Sequence, residues 1–339
     1  MSEDVTIIGA GLSGLVSAIL LSRKGYCVQV YEKSKGVGGG NFPSIHTFEL
    51  DVDEDLSKLG IDIKESLSKV RTSMFFSKDD ITKVDLYNVE RGNRETSIDS
   101  KLTKIAMDEG VQISYNSPLQ AVKADKPVVK GEKISSDNVI IACGLLTDLW
   151  NELRIPHEII NVRTGTCMED DVTANLFFGD FAPKGYGYFS SLNGIGTPLI
   201  LTRRNLPDEN WKRFLDYIKE LGFCQGDVKA DKNPTRVHLP LNARFNEGNF
   251  IFAGSFSGAI DCYMGFGIKG AMVSGQIAAL AVQDFEAARK KFRRNVARKF
   301  VVSKVLKKVD YASSVGEWGI RKIRKHYPKK ILRIFTPNF

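Results

Sequence analysis

The chain is poor in the residues that build metal centres and covalent cross-links. Its 339 residues include five cysteines and four histidines. Cys27, Cys143, Cys167, Cys224 and Cys262 are scattered and form no C-x-x-C pair, which argues against a zinc knuckle or a disulfide framework. An odd, sparse cysteine count fits a reducing compartment. His46, His157, His238 and His326 are not spaced as metal ligands, so no metal is expected. Only His46 merits a test, because it follows a glycine-rich loop. No G-x-S-x-G elbow occurs, which removes the serine-hydrolase reading. No run of 18 apolar residues occurs, so no spanning helix is expected; the best candidate, 270–282, is short and carries Ser274 and Gln276. Internal repeats and low-complexity segments are also missing. The start, Met1-Ser2-Glu3-Asp4, has neither the basic region nor the apolar core of a signal peptide. Together these absences predict a cytoplasmic protein, at most peripheral on the cytoplasmic face of a membrane.

Charge is present but uneven. From Asp284 to Phe339 there are 17 Lys/Arg against four Asp/Glu, whereas the rest holds 31 against 36. A mildly acidic body therefore carries a basic tail, and such asymmetry points to an anionic partner surface. Phe292, Val296, Phe300, Val302, Val305, Leu306 and Val309 recur there at helical spacing, and Trp318, Ile320, Ile323, Ile331, Ile334 and Phe335 continue the mix. Residues 285–339 read either as a basic amphipathic helix on an anionic membrane surface or as a helix packed on the body. No nucleic-acid recognition motif accompanies the charge, so nucleic acid is not expected.

The remaining pattern is that of an α/β protein. Val5-Thr-Ile-Ile leads into Gly9-Ala-Gly11-Leu12-Ser13-Gly14, then into an apolar helix closed by Gly25 and a strand ending at Glu32. Strand, glycine turn, helix, strand is a βαβ unit. A helix is expected over 98–109 and a buried strand over 138–144. Residues 157–240 read as a sheet followed by one amphipathic helix, 208–221; a further strand at 249–254 precedes a small-residue helix over 265–282. The expected organisation is a dinucleotide domain over 1–156 and 241–284, with substrate-domain pieces within 60–95. A sheet-based substrate domain spans 157–240, and a helical tail 285–339.

Gly9-x-Gly11-x-x-Gly14 carries the chemistry. The first glycine permits the tight turn, the second lets a pyrophosphate approach the backbone, and the third lets helix and strand pack closely. The helix N-terminus offers unpaired N–H groups and about half a positive charge to phosphates. Glu32 closes the next strand, placed for a ribose diol. Lys33 and the glycines Gly38 and Gly39 follow, which resembles the extended FAD signature rather than that of a nicotinamide dehydrogenase.

Four segments, in order, resemble the geranylgeranyl reductase family within the p-hydroxybenzoate-hydroxylase-like FAD superfamily. They are the N-terminal fingerprint; Arg94-Glu-Thr-Ser-Ile-Asp99 before a helix; Asn138 to Cys143-Gly144; and Gly254-Ser255 followed by Gly265-Phe-Gly267-Ile268. Cys143 and Ser255 stand where the superfamily usually has Asp. The resemblance implies that Gly254, Ser255, Gly265, Gly267 and Ile268 hold the ribityl chain and pyrimidine edge, with Arg94 and Gly144 also at the cofactor. Gly185-Tyr186-Gly187-Tyr188-Phe189-Ser190 is similar to that family's substrate-cavity motif, with Ser190 in the place of Pro; Tyr186, Tyr188 and Phe189 are then expected to form the cavity wall. Core or interface aromatics are the competing reading, since strands favour aromatic residues.

The fold implied is α/β: a Rossmann-like three-layer FAD-binding domain with an inserted sheet-based substrate domain. The activity implied is FAD-dependent reduction of carbon–carbon double bonds in a prenyl lipid, with NAD(P)H or a reduced protein as electron donor. A monooxygenase or halogenase of the same superfamily, and a flavoprotein with mainly a docking role, are the alternatives. No catalytic residue is identified by the sequence.

Overall fold

The structure is a computed structural model that describes residues 3–40, 43–123, 126–136, 138–145, 149–312, 337 and 339. The first layer system is built on β1 (Asp4–Ile8), α1 (Leu12–Ser22) and β2 (Cys27–Tyr31). A six-stranded sheet runs in the order Asn246–Glu247, Phe250–Phe252, Asn138–Ile141, β1, β2, Gln112–Ser114. All its pairings are parallel except the edge pair Asn246–Glu247 with Phe250–Phe252.

The alternation of side chains makes this sheet the middle of three layers. Val5, Ile7 and Ile140 point into a core shared with α1 and the helices Ile98–Asp108 and Ile268–Gln283. Ile8, Val139 and Ile141 point the other way, against Val129 and Trp150. A three-stranded antiparallel meander, Leu119–Lys123, Lys126–Val129 and Glu132–Lys133, covers that side. On the helical side, α1 and Ile268–Gln283 approach closely. A Cβ on Gly275 would lie 2.5 Å from Ser13 O, and Ser17 Oγ donates to Gly275 O at 2.9 Å.

The second system is a nine-stranded sheet. Its strands run in the order Lys229–Ala230, His157–Met168, Ile195–Thr202, Gly185–Leu192, Thr173–Phe177, Leu67–Phe75, Ile81–Arg91, Ser44–Phe48, with Thr235–Pro240 also paired to His157–Met168. Segment 44–91 thus gives three strands to a sheet otherwise made from 157–240. One face packs Phe177, Phe189 and Ile200 against Trp211 and Phe214 of the helix Asp208–Glu220. The other face carries Tyr186, Tyr188, Leu201, Ile160 and Leu239 toward the first layer system.

Most helix ends lie within a residue or two of the sequence expectation. Ser97 caps Ile98–Asp108 by accepting from Ser100 N, the side-chain oxygen preference of an N-cap. The helix expected from 265 starts at Ile268 instead, because Gly265 adopts φ +80°, outside helical space. The tail continues as Phe285–Phe292, a π turn over Arg293–Ala297, and Arg298–Ala312. Phe292, Val296 and Phe300 are buried against the body, whereas Val302 and Val305 are exposed. Trp318 to Phe335 lie outside the described residues. No helix among the described residues is long and apolar enough to cross a membrane.

Candidate dinucleotide and substrate cavity

A cavity of about 600 Å³ lies between the carboxyl ends of the parallel strands and the inner face of the nine-stranded sheet. Ligands of open parallel α/β sheets bind at that end, where loops diverge. Gly9, Gly11, Leu12 and Ser13 line it where β1 turns into α1. Gly11 is the N-cap of α1, and no side chain caps that terminus. A Cβ on Gly11 would meet nothing within 4 Å, so the space above the helix N-terminus is open to a ligand. Gly14 differs from it. A Cβ there would fall 1.9 Å from Gly9 O, so this glycine permits the turn to pack and does not itself line the cavity.

Glu32 and Lys33 line the end next to β2, with Gly38 and Gly39 beyond them. The Glu32 carboxylate accepts from Ala10 N at 2.7 Å and from Ser34 N at 2.9 Å, which fixes it beside the glycine turn. Cys143 and Gly144 face it from the next strand end. Burial, and then the Glu32 charge, push the Cys143 thiol up to about 12, so it is neutral and not a nucleophile at ordinary pH.

Gly254, Ser255, Gly265, Gly267 and Ile268 line the inner end. The helix Ile268–Gln283 opens there with Gly267 as its N-cap, again without a capping side chain. Ser274 Oγ accepts from Gly254 N at 2.8 Å and holds the preceding strand against this helix. One cavity therefore receives two uncapped helix N-termini, each a partial positive charge.

The far wall belongs to the nine-stranded sheet. Tyr186, Tyr188, Leu199, Leu201, Ile160 and Val162 line it, joined by Val237 and Leu239. Tyr186 Oη donates to Met264 O at 2.5 Å, tying the wall to the loop before the second helix. Tyr188 Oη lies 2.6 Å from Thr47 Oγ1, and burial pushes this phenol up to about 12. His46 lines the cavity beside Ser44, whose hydroxyl is 3.0 Å from its Nε2. Burial first and Arg91 second lower this imidazole to about 4, so it is neutral.

Besides Gly14, two more expected residues lie elsewhere. Phe189 does not reach the cavity: successive side chains of a strand alternate, and with Tyr188 turned inward Phe189 enters the opposite core with Phe177 and Phe214. Arg94 also lies outside it. Its guanidinium reaches Asn193 O at 3.2 Å and the buried Glu90, pinning a hairpin end to the loop after Arg91. The arginine that lines the cavity is Arg91, paired with Asp99. The sequence does not single out Arg91, Ser117 or the aliphatic wall as site residues, and Asp99 stands out only as the aspartate of the segment that resembles the superfamily's. The wall had a signal, the alternating apolar positions of 160–162, 199–201 and 237–239.

Residues 7–56 match the NAD(P)-binding Rossmann-like domain family. No curated protein matches the chain over its sequence. Among solved structures, a geranylgeranyl bacteriochlorophyll reductase-like protein from Thermoplasma acidophilum superposes with a TM-score of 0.74 at 16% identity, covering 98% of this chain and 100% of that one. A flavin-dependent brominase superposes with a TM-score of 0.71 at 15% identity, covering 99% and 93%. The p-nitrophenol 4-monooxygenase of Pseudomonas putida DLL-E4 gives 0.67 at 17% identity, covering 98% and 97%. Residues 7–56 thus match an NAD(P)-binding Rossmann-like domain, and the chain shares along its length the fold of these solved structures.

Proposed function

We propose that the protein binds FAD in this cavity and reduces carbon–carbon double bonds of a prenyl lipid. The residues present fit that cofactor. Glu32 would take the adenosine ribose, and the N–H groups at Gly11 to Ser13 the pyrophosphate. Gly254, Ser255 and the N-terminus at Gly267–Ile268 would take the ribityl chain and pyrimidine edge. FAD held there would, once reduced, supply the hydride for one alkene carbon while the other carbon takes a proton.

The observation that carries the substrate class is the far wall. The strands His157–Met168, Gly185–Leu192, Ile195–Thr202 and Thr235–Pro240 line it with aliphatic side chains and tyrosines alone, while Ser44, His46, Thr47 and Arg91 line the cavity from the other end of the same sheet. A substrate bearing a carboxylate would need a cation, and the Arg91 guanidinium is paired through Nε and Nη2 with Asp99. Such a wall suits a hydrocarbon chain, which it would orient and shield from water. Tyr188 Oη holds its proton at neutral pH, set between Thr47 and Ile45 O. NAD(P)H or a reduced protein would return electrons to the cofactor.

The test is anaerobic. The purified protein should show flavin absorbance bands that a reductant bleaches and a geranylgeranyl lipid restores without oxygen. Bands restored only by oxygen, with NAD(P)H consumption, would give the monooxygenase reading, which shares the fold. A protein that binds no flavin would end both.

A further inference from the structure

The tail helices expose a face that the cavity does not explain. Over 285–308 the sequence holds ten Lys/Arg and one acid, Glu286. Arg289, Lys290, Arg293, Arg294, Arg298 and Lys308 are exposed. Among them lie three exposed valines: Val301 at 58%, Val302 at 37% and Val305 at 53%. Arg298, Val301, Val305 and Lys308 follow one another at spacings of three and four, which puts them in one stripe of the helix Arg298–Ala312. The opposite stripe is fully engaged. Phe292, Val296, Phe300 and Ser303 are buried, and Lys304 Nζ donates to Leu241 O at 2.8 Å.

The buried stripe grips the loop that closes the cavity. Ser303 Oγ donates to the Asp261 carboxylate, which also accepts from Tyr263 N and Met264 N. Lys307 pairs with Glu158, which also faces Arg203, and Arg203 donates to Cys262 O at 2.7 Å. Residues 261–264 lead directly into Gly265–Ile268 of the cavity lining. The helix that carries the outward face is therefore bonded through its buried stripe to the segment that leads into the cavity lining.

We propose that the exposed face of residues 289–308 docks the protein on an anionic lipid surface, with Val301, Val302 and Val305 entering the headgroup layer. Cations beside small aliphatic side chains match such a surface, which offers charge outside and hydrocarbon beneath. The stripe from Arg298 to Lys308 carries no aromatic ring, whereas a single-stranded nucleic-acid site needs rings for base stacking. The same face of a second copy would bring the same positive charge and repel it.

The full chain is floated with vesicles of phosphatidylcholine alone and of phosphatidylcholine mixed with phosphatidylglycerol. Binding to the mixed vesicles only, weakened by added salt, is the expected result. Lys290→Glu/Arg294→Glu/Arg298→Glu should weaken partitioning at least about a hundredfold. Val301→Asp/Val305→Asp should also release the protein. All five positions are exposed, so the circular dichroism spectrum and melting curve should stay as in the parent. Absence of binding to the mixed vesicles would overturn the proposal. So would valine variants that bind vesicles as the parent does, with single-stranded RNA competing equally, because the face would then be a general polyanion site. Flavin content is read in the same preparations, so loss of docking is separable from loss of the cofactor site.

Discussion

Arg91 and Asp99 form a two-pronged pair at the cavity rim, with Nε to Oδ2 at 2.7 Å and Nη2 to Oδ1 at 2.8 Å. Asp99 also accepts from Gly92 N at 3.0 Å and sits in the first turn of Ile98–Asp108, where a carboxylate suits the helix dipole. Its side chain is 1% exposed, so Asp99→Asn would leave the Arg91 charge without its counterion. Breaking a buried pair on one side costs about 3–5 kcal/mol. The lower end, about 3 kcal/mol, is expected here because Arg91 retains 27% exposure. Urea unfolding measures it. A loss of under about 1 kcal/mol would place the pair with ordinary surface ion pairs.

The fingerprint glycines separate structure from binding. Gly14→Ala puts a methyl group 1.9 Å from Gly9 O, so β1 and α1 must move apart. Overpacking of this kind costs about 1–3 kcal/mol or more. Gly11→Ala meets no protein atom within 4 Å, and Gly11 has an ordinary φ of −79°. It should melt like the parent yet bind FAD at least about tenfold more weakly, the equivalent of about 1.4 kcal/mol. Thermal melting with and without added FAD distinguishes the two variants. Equal flavin affinity of parent and Gly11→Ala would remove the pyrophosphate from this turn.

The βαβ unit was legible because its information is local: apolar strand, glycines at fixed offsets, helix, acid at the next strand end. What failed depends on partners far along the chain. Arg91 and Arg94 are equivalent in composition, and only the turn at Gly92 and the hairpin at Asn193 decide which guanidinium enters the cavity. The tail's apolar residues look like one helical stripe, but the π turn at Arg293–Ala297 and the shape of the body divide them. Phe292, Val296 and Phe300 go inward while Val302 and Val305 stay outside. Phe189 is the opposite case. A strand's period of two already forbids the neighbours Tyr188 and Phe189 from sharing one wall, so the sequence carried the answer.

Tyr188 and Phe189 therefore give a paired prediction. Phe189 is fully buried among Phe177, Phe223 and Ile200 on the face away from the cavity. Phe189→Ala should cost about 3–5 kcal/mol of stability and leave substrate affinity unchanged once the variant is folded at low temperature. Tyr188→Phe keeps the ring and removes one hydrogen-bonding group, a loss of about 1 kcal/mol. It should lower turnover with a prenyl lipid while the flavin spectrum persists. Unfolding curves and single-turnover reoxidation measure the two effects. A Phe189→Ala variant with altered KM would mean that this strand presents its other face to the substrate.

His46 gives the pH dependence. Its folded-state value, lowered to about 4 by burial and by Arg91, lies below the 6.5 of an exposed imidazole, while Asp99 opposes the shift. The unfolded chain then binds more protons than the folded one between these values. Stability from this group is complete above about pH 6.5 and falls as the pH drops toward 4, by an upper bound of about 3 kcal/mol. Carboxylates also titrate as the pH falls, so the parent's slope alone does not isolate His46. His46→Gln keeps a polar side chain beside Ser44 and has no imidazole to titrate. The difference in unfolding free energy between parent and His46→Gln should therefore move in the parent's disfavour as pH falls through this window. Parallel pH profiles for the two proteins would show that His46 is solvated and protonates freely in the folded state.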